Sequence, residues 1–272
     1  MAKYTKSIYD FIFFSSITNW IFFVGILIFV DIPQLSVFSL VPIATGMTLL
    51  YSYGFYGKAL EKGDTSALTI LFNLIPVFTV ILGYIFLGQA LSPNQLLAFF
   101  IILSGALIIS FDKSKKSFIK GFWLILIAII MWSVMTISID YGLTKMNFWD
   151  YFLLDNLGSG IAGLTLFIIP SIRQRVIIGL RSASKPKFIW FTWNNVLDFF
   201  GQMSIKKALF IAPTAGLVSV ISQVQSFYAI VIGIMLTLLI PQTIKEDISK
   251  ITLTKKILGA MIMFFGVYIL LT

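Results

Sequence analysis

One hydrophobic stretch, residues 188–209, carries polar side chains at a spacing that could support chemistry inside a membrane. The stretch is long enough to cross a bilayer, which takes about 20 residues. Asn194, Asp198 and Gln202 follow one another at intervals of four, so a helix would align them in one stripe with Asn195 beside it. A carboxylate at mid-bilayer costs roughly 2.5–3.5 kcal/mol unless water or a partner solvates it. Asp198 is therefore either the ionisable centre of a site or a protonated acid held between helices.

A second acid, Asp155, lies about seven residues into the apolar stretch 148–170. It could meet a substrate cation or Asp198, and the alternative is an acid near the membrane surface whose side chain reaches water. If Asp155 and Asp198 met, they could also share a proton as an aspartyl dyad. Burial favours the uncharged form of a carboxylic acid, so Asp198 could load and release a proton.

Further polar residues are candidates for contact with a solute. Ser219 and Gln223 belong to a helical stripe in the stretch 214–239, and they could instead form hydrogen bonds between helices. Asn73 lies near Pro76, which can bend a helix and free a backbone carbonyl for a cavity. Aromatic residues next to polar ones could form the walls of a pocket: Trp20, Tyr51, Tyr53, Trp132, Trp193 and Tyr228.

The composition indicates that these stretches belong to a polytopic membrane protein. Of 272 residues, 58% are hydrophobic and only 11% are charged. The net charge of +9 is better explained by basic loops that face lipid and cytoplasm than by nucleic acid. The absence of His and Cys argues against a metal site, a thiolate nucleophile and an intramembrane enzyme. The sequence contains no ATP-binding loop of the GxxxxGK[ST] type, which argues against pumping driven directly by ATP in this chain. We predict no cofactor.

The pattern of apolar stretches and basic residues predicts nine transmembrane helices. Under this assignment 17 of the 20 basic residues fall on one side, which the positive-inside rule makes cytoplasmic, and only Lys145, Lys206 and Lys207 fall on the other. We therefore expect a protein of the cell membrane with a cytoplasmic N-terminus and an external C-terminus. The predicted spans are residues 8–30, 38–58, 66–87, 94–111, 119–143, 148–170, 188–209, 214–239 and 255–272.

The chain also repeats itself. Residues 58–87 match residues 207–236 at a constant offset, with Lys-Ala-Leu at the start of both and Phe78 against Phe227. Near the ends of the halves, Gly105 matches Gly266. The matched helices would enter the membrane from opposite faces, which predicts an inverted-topology repeat in residues 1–112, with four helices, and residues 113–272, with five. Secondary transporters often use this plan, with the site where the repeats meet.

Three motifs resemble the EamA-like branch of the drug/metabolite transporter superfamily. They are Ala59-Leu60 followed by residues 65–76, LGQALSPNQLLAFFIILSGALI at 87–108, and GFWLILIAIIMWSVMTIS at 121–138. The sequence departs from the family where Gln89 replaces Glu, where Ala98 replaces Gly, and where Gln225 aligns with Pro76. The resemblance implies two five-helix halves, and by that standard the first helix of the first half is missing here.

Repeat and resemblance together predict an all-α transporter that moves a small organic metabolite or drug-like solute by alternating access. Expected partners are the solute, the lipid bilayer, the proton as a candidate coupling ion, and a second copy of the chain as a candidate dimer partner. An uncoupled facilitator or exchanger, and a membrane assembly partner that transports nothing, remain alternatives. The residues predicted to contact the solute are Asn73, Trp132, Asp155, Asn194, Asn195, Asp198, Gln202, Ser219 and Gln223.

Overall fold

The protein folds almost entirely into helices. The computed structural model describes residues 8–63, 65–88, 92–112, 117–181, 184–222, 224–239 and 249–271. Its helices are α1 (Ile8–Ile26), α2 (Leu40–Leu60), α3 (Thr65–Ile70), α4 (Ile75–Leu87), α5 (Pro93–Ser110), α6 (Phe122–Leu143), α7 (Phe148–Thr165), α8 (Pro170–Arg181), α9 (Lys185–Ile211), α10 (Ala215–Ser222), α11 (Val224–Leu239) and α12 (Lys250–Leu271). Two-residue strands, β1 (Phe111–Asp112) and β2 (Ser117–Phe118), pair antiparallel between α5 and α6. The predicted class, a helical membrane protein, is confirmed.

Several of these helices suit a bilayer by length and composition. Among the described residues, four segments of at least 18 residues are apolar enough to span: Ile8–Ile26, Val37–Leu60, Phe122–Leu143 and Lys250–Ile269. The pair α7 and α8 adds a fifth if it counts as one broken span, although it bends by 102°. Leu71–Leu87 and Leu96–Gly105 are apolar but shorter. The predicted total of nine therefore stays a prediction.

Helix boundaries follow local sequence signals. α7 begins after Asn147, whose side-chain oxygen accepts a hydrogen bond from the backbone N–H of Asp150. α9 begins after Ser184, whose side-chain oxygen accepts a hydrogen bond from the backbone N–H of Lys187. Pro186 lies in the first turn of α9, where a backbone N–H would have no partner within the helix. Pro76 lies in the first turn of α4 and follows a 3₁₀ turn at Leu71–Leu74, so the predicted third span is interrupted at this proline.

The chain forms two compact units that do not coincide with its sequence halves. The first unit comprises described residues within 1–54 and 135–213. In it α1 packs along α7, touches α8 and α9, and α7 packs on α9. One apolar cluster joins Ile12, Leu50 and Val176. A second cluster contains Phe148 and Phe152.

The second unit comprises described residues within 55–134 and 214–272. In it α5 packs along α12, α4 packs on α10, and α3 packs on α11. The glycines allow α5 and α12 to approach closely: a Cβ on Gly105 would meet the carbonyl of Gly259, and a Cβ on Gly266 would meet Ile102. Gly105 and Gly266 are the residues that the sequence match places at equivalent positions.

Candidate functional site

The polar face of α9 positions the candidate site within the first unit. Asn195, Asp198, Gln202 and Lys206 lie at intervals of three or four residues, so the 3.6-residue period of the helix places them on one inward side. Asn194 lies about 100° around the helix from Asn195 and about 40° from Asp198, at the outer edge of the stripe. Its side chain is exposed, and it is absent from the hydrogen bonds that the described residues form with Asp198.

Asp198 is held by a tyrosine. The hydroxyl of Tyr53 lies 2.7 Å from one carboxylate oxygen of Asp198 and 2.9 Å from the other, to either of which it can donate its hydrogen. Gln202 donates in turn from Nε2 to the Tyr53 hydroxyl oxygen at 3.2 Å. Tyr53 was among the aromatic candidates predicted from the sequence, and its role here is that of a hydrogen-bond donor to the acid.

Lys206 is fully buried and forms an ion pair with Asp155. Its Nζ lies 3.1 Å from Asp155 Oδ2 and donates to Gln202 Oε1 at 3.2 Å. The ammonium also lies 5.8 Å from the centre of the Phe152 ring. Since an unpaired ammonium in such a place would be costly, the pair and the aromatic face together stabilise Lys206 in its buried position.

The other oxygen of Asp155 extends the same hydrogen-bond network. Thr45 donates its hydroxyl to Asp155 Oδ1 at 2.8 Å, and the Tyr151 hydroxyl lies 2.9 Å from Thr45 Oγ1. Close contact between α2 and α7 makes this geometry possible, since a Cβ on Gly46 would overlap the backbone of Asp155. The network therefore joins α2, α7 and α9 through side chains alone.

Asn195 fixes α9 against α1. Its Oδ1 accepts the hydroxyl of Ser15 at 2.7 Å, and its Nδ2 donates to Thr18 Oγ1 at 3.2 Å. A buried amide whose oxygen and nitrogen are both hydrogen-bonded is suited to a structural role. Asn195 also borders a cavity, where it could contact a small solute.

A narrow cavity lies beside the network. The volume open to the centre of a water molecule is roughly 10 Å³, enough for about one water. Its walls combine carboxylates and amides with apolar and aromatic side chains. They are Asn19, Phe22, Leu49, Phe152, Asp155, Asn156, Asn195, Asp198, Phe199 and Gln202.

The charges of the site do not balance. The ammonium of Lys206 neutralises Asp155, whereas Asp198 forms no ion pair with any described residue and receives its hydrogen bond from a neutral hydroxyl. A site with two carboxylates and one ammonium can hold one further positive charge, as a proton or a cation. Among the described residues, no three acidic side chains gather into a metal-binding group.

The remaining predicted residues lie in the second unit or outside the described residues. Asn73 is buried and donates to the carbonyl of Ile70 at 2.8 Å. Ser219 is buried 3.4 Å from Thr79 Oγ1. Trp132 packs edge-on against Phe72, with ring centres 4.7 Å apart. Gln223 lies outside the described residues.

Of the other aromatic candidates, Tyr51 shares a 2.6 Å hydrogen bond with Thr165, and Trp20 stacks edge-on against Phe23. Trp193 and Tyr228 are exposed.

Sequence reasoning missed three members of the network. It treated Lys206 as a residue of the external membrane edge, although Lys206 follows Gln202 by four positions and extends the predicted stripe. Thr45 and Tyr151 gave no signal, because isolated threonines and tyrosines are common in apolar helices. Only the hydrogen bonds of Thr45 with Asp155 and of Tyr151 with Thr45 identify them.

A second buried ion pair lies elsewhere in the same unit. Lys187 Nζ is 3.3 Å from Asp10 Oδ2 and donates to the backbone carbonyl of Gly179 at 3.0 Å. It also lies 5.7 Å from the ring centres of Phe14 and Phe191.

Comparison with known proteins gives a family match in the first part of the chain. No curated protein matches the sequence. A solved structure titled "Crystal structure of protein" has a TM-score of 0.49 and 13% identity over 94% of this chain and 85% of that chain. Residues 1–111 match the EamA-like transporter family. This match confirms the resemblance predicted from the motifs. Over residues 1–111 the chain resembles the EamA-like transporter family, which is consistent with membership of the drug/metabolite transporter superfamily.

Proposed function

We propose that this protein is a secondary-active transporter that moves a small organic solute by alternating access and couples this movement to a proton carried by Asp198. The family match over residues 1–111 and the long apolar helices support a multi-pass membrane transporter of small solutes. Coupling, mechanism and solute class go beyond that support and are argued from the site.

The observation that carries the proposal is the difference in pairing between the two carboxylates. Asp155 has an ammonium partner at 3.1 Å, so adding a proton there would break an ion pair. Asp198 has no ion-pair partner among the described residues and is hydrogen-bonded by the Tyr53 hydroxyl, which can donate to the carboxylate and accept from the acid with little movement. Protonation of Asp198 therefore disturbs the structure less than protonation of Asp155.

Proton and solute can then alternate at one place. When Asp198 is ionised, the site carries one net negative charge and attracts a solute with a cationic group. When Asp198 is protonated, the site is neutral and that attraction is lost. Because the amides of Asn156, Asn195 and Gln202 also line the cavity, they offer hydrogen bonds that orient a polar solute.

The size of the cavity requires a conformational change for transport. A space for about one water cannot hold an organic molecule, so this structure corresponds to a closed state of the site. In the proposed mechanism the predicted repeats, residues 1–112 and 113–272, supply the two halves whose rearrangement opens the site to one membrane face and then the other.

The test measures solute-driven proton movement in vesicles containing purified protein and an internal pH-sensitive dye. Amino acids, nucleosides and the cation ethidium are added in turn, with and without an imposed pH gradient. We expect at least one solute to move protons with wild-type protein, and the Asp198→Asn variant to lose that signal, because an amide cannot exchange a proton.

The matched control is Asp31→Asn, which makes the same chemical change at an exposed residue after α1. It is expected to behave as wild type. Wild-type uptake that ignores the pH gradient would indicate an uncoupled facilitator or exchanger. Gradient-driven uptake that survives Asp198→Asn would remove the proton role of this residue, and no uptake of any solute would count against transport itself.

A further inference from the structure

We propose that the basic outer face of α8 binds the headgroups of anionic phospholipids and fixes this helix in the membrane surface. This surface consists of Arg173, Arg175 and Arg181, with Lys185 at the start of α9. The proposal concerns a contact with lipid and does not depend on the transport mechanism.

The length and direction of α8 suit a helix in the membrane plane. It has 12 residues, about 18 Å at 1.5 Å per residue, whereas a span needs about 30 Å. It also bends by 102° away from α7. A short helix that turns at a right angle after a long apolar one leaves the bilayer core and follows its surface.

The inner face of α8 is held in place. Val176 is buried in an apolar cluster with Ile12 of α1, and Gly179 accepts the hydrogen bond from Lys187 Nζ. There is no room for a side chain at Gly179, since a Cβ would overlap the carboxylate of Asp10. This docking fixes the rotation of α8 about its axis, and therefore fixes which of its side chains are exposed.

The exposed surface of α8 is cationic on both sides of its docked face. Arg173, Arg175 and Arg181 are exposed, residues 170–187 contain no acidic side chain, and no described residue forms an ion pair with these arginines. A guanidinium group presents a planar fork of donors that matches two oxygens of one phosphate. Each basic group near an anionic leaflet strengthens membrane binding.

Apolar side chains flank the arginines, which favours a lipid over a soluble anion. Ile168 and Ile169 are exposed just before α8, Ile178 is exposed on it, and Trp190 is exposed one turn into α9. At the membrane interface, phosphate headgroups lie above acyl chains, so arginines could contact the phosphates while the neighbouring isoleucines and tryptophan contact the acyl chains. Amphipathic helices and tryptophans are commonly found at this interface.

The experiment titrates detergent-solubilised full-length protein with phosphatidylglycerol or phosphatidylcholine and follows bound lipid by native mass spectrometry. We expect wild type to retain phosphatidylglycerol selectively. The triple variant Arg173→Gln/Arg175→Gln/Arg181→Gln should bind it at least about tenfold more weakly. The control Lys62→Gln/Lys145→Gln/Lys207→Gln removes three exposed lysines outside α8 and should retain wild-type selectivity.

Photoactivatable phosphatidylglycerol bound to wild-type protein provides a second measurement that needs no variant. Crosslinks concentrated in residues 170–190 would support the proposal if the triple variant fails to fold. Equal retention of the two lipids, equal loss in both triple variants, or crosslinks concentrated elsewhere would overturn it.

Discussion

Two lysines of α9 form buried ion pairs, and they differ in what surrounds them. Lys187 lies near the start of the helix with Asp10, and Lys206 lies near its end with Asp155. Both ammonium groups are essentially inaccessible, and both lie beside aromatic rings. The two pairs therefore carry a similar desolvation cost, and among the contacts between described residues the Lys206 pair continues into a network of side chains.

The surroundings indicate which pair can take part in function. Lys187 ends on the backbone carbonyl of Gly179, a group that neither titrates nor rotates. Lys206 continues through Gln202 to Tyr53 and Asp198, which can rotate or exchange protons, and Asp155 and Asp198 line a cavity. A buried ion pair by itself indicates only that its charges are compensated. Its connection to movable polar groups and to space makes it a candidate for chemistry.

The largest expected effect comes from breaking the enclosed pair. Lys187→Met removes one ammonium group from Asp10 and should destabilise the protein by about 3–5 kcal/mol, because it breaks a buried ion pair. Thermal unfolding in detergent measures this. The double variant Asp10→Asn/Lys187→Met should recover much of the loss, and exposed Lys185→Met should remain near wild type. A small effect of Lys187→Met would mean that water reaches this pair.

Breaking the connected pair should cost less stability and more activity. Lys206→Met should destabilise by about 2–3 kcal/mol, because Asp155 keeps the Thr45 hydroxyl and borders the cavity. Solute-driven proton movement should be lost in the folded protein, since Asp155 loses its cation and the hydrogen-bond path from Lys206 through Gln202 and Tyr53 to Asp198 is broken. The neighbouring exposed Lys207→Met is the control for both measurements. Full proton movement in Lys206→Met would separate this pair from the site.

The smallest effect distinguishes the two adjacent asparagines of α9. Asn195→Ala should lower the unfolding free energy by about 1–3 kcal/mol, because Ser15 and Thr18 lose their buried partner. Asn194→Ala should change it by less than about 0.5 kcal/mol, as expected for an exposed residue. Equal effects of the two substitutions would contradict the orientation of α9.

The sequence predicted the candidate site in part. The spacing of Asp198 and Gln202 correctly indicated a shared face, because helical periodicity is a local property. The same rule also selected Asn194, since three residues at intervals of four fit a stripe regardless of which side faces the interior. The contacts of Asp155 with Lys206 and of Asp198 with Tyr53 join different helices, and no local pattern specifies such pairs.

The sequence by itself determined that this chain is a helical membrane protein with polar groups inside an apolar stretch. Hydropathy and helical period are sums over neighbouring residues, and the physics of the bilayer acts on them directly. Only the tertiary structure decided that Lys206 is buried against Asp155, that Lys187 closes on Asp10, and that Asp198 is left with a neutral partner. Those outcomes depend on which helices pack together and how closely, and residues far apart in the chain set that packing jointly.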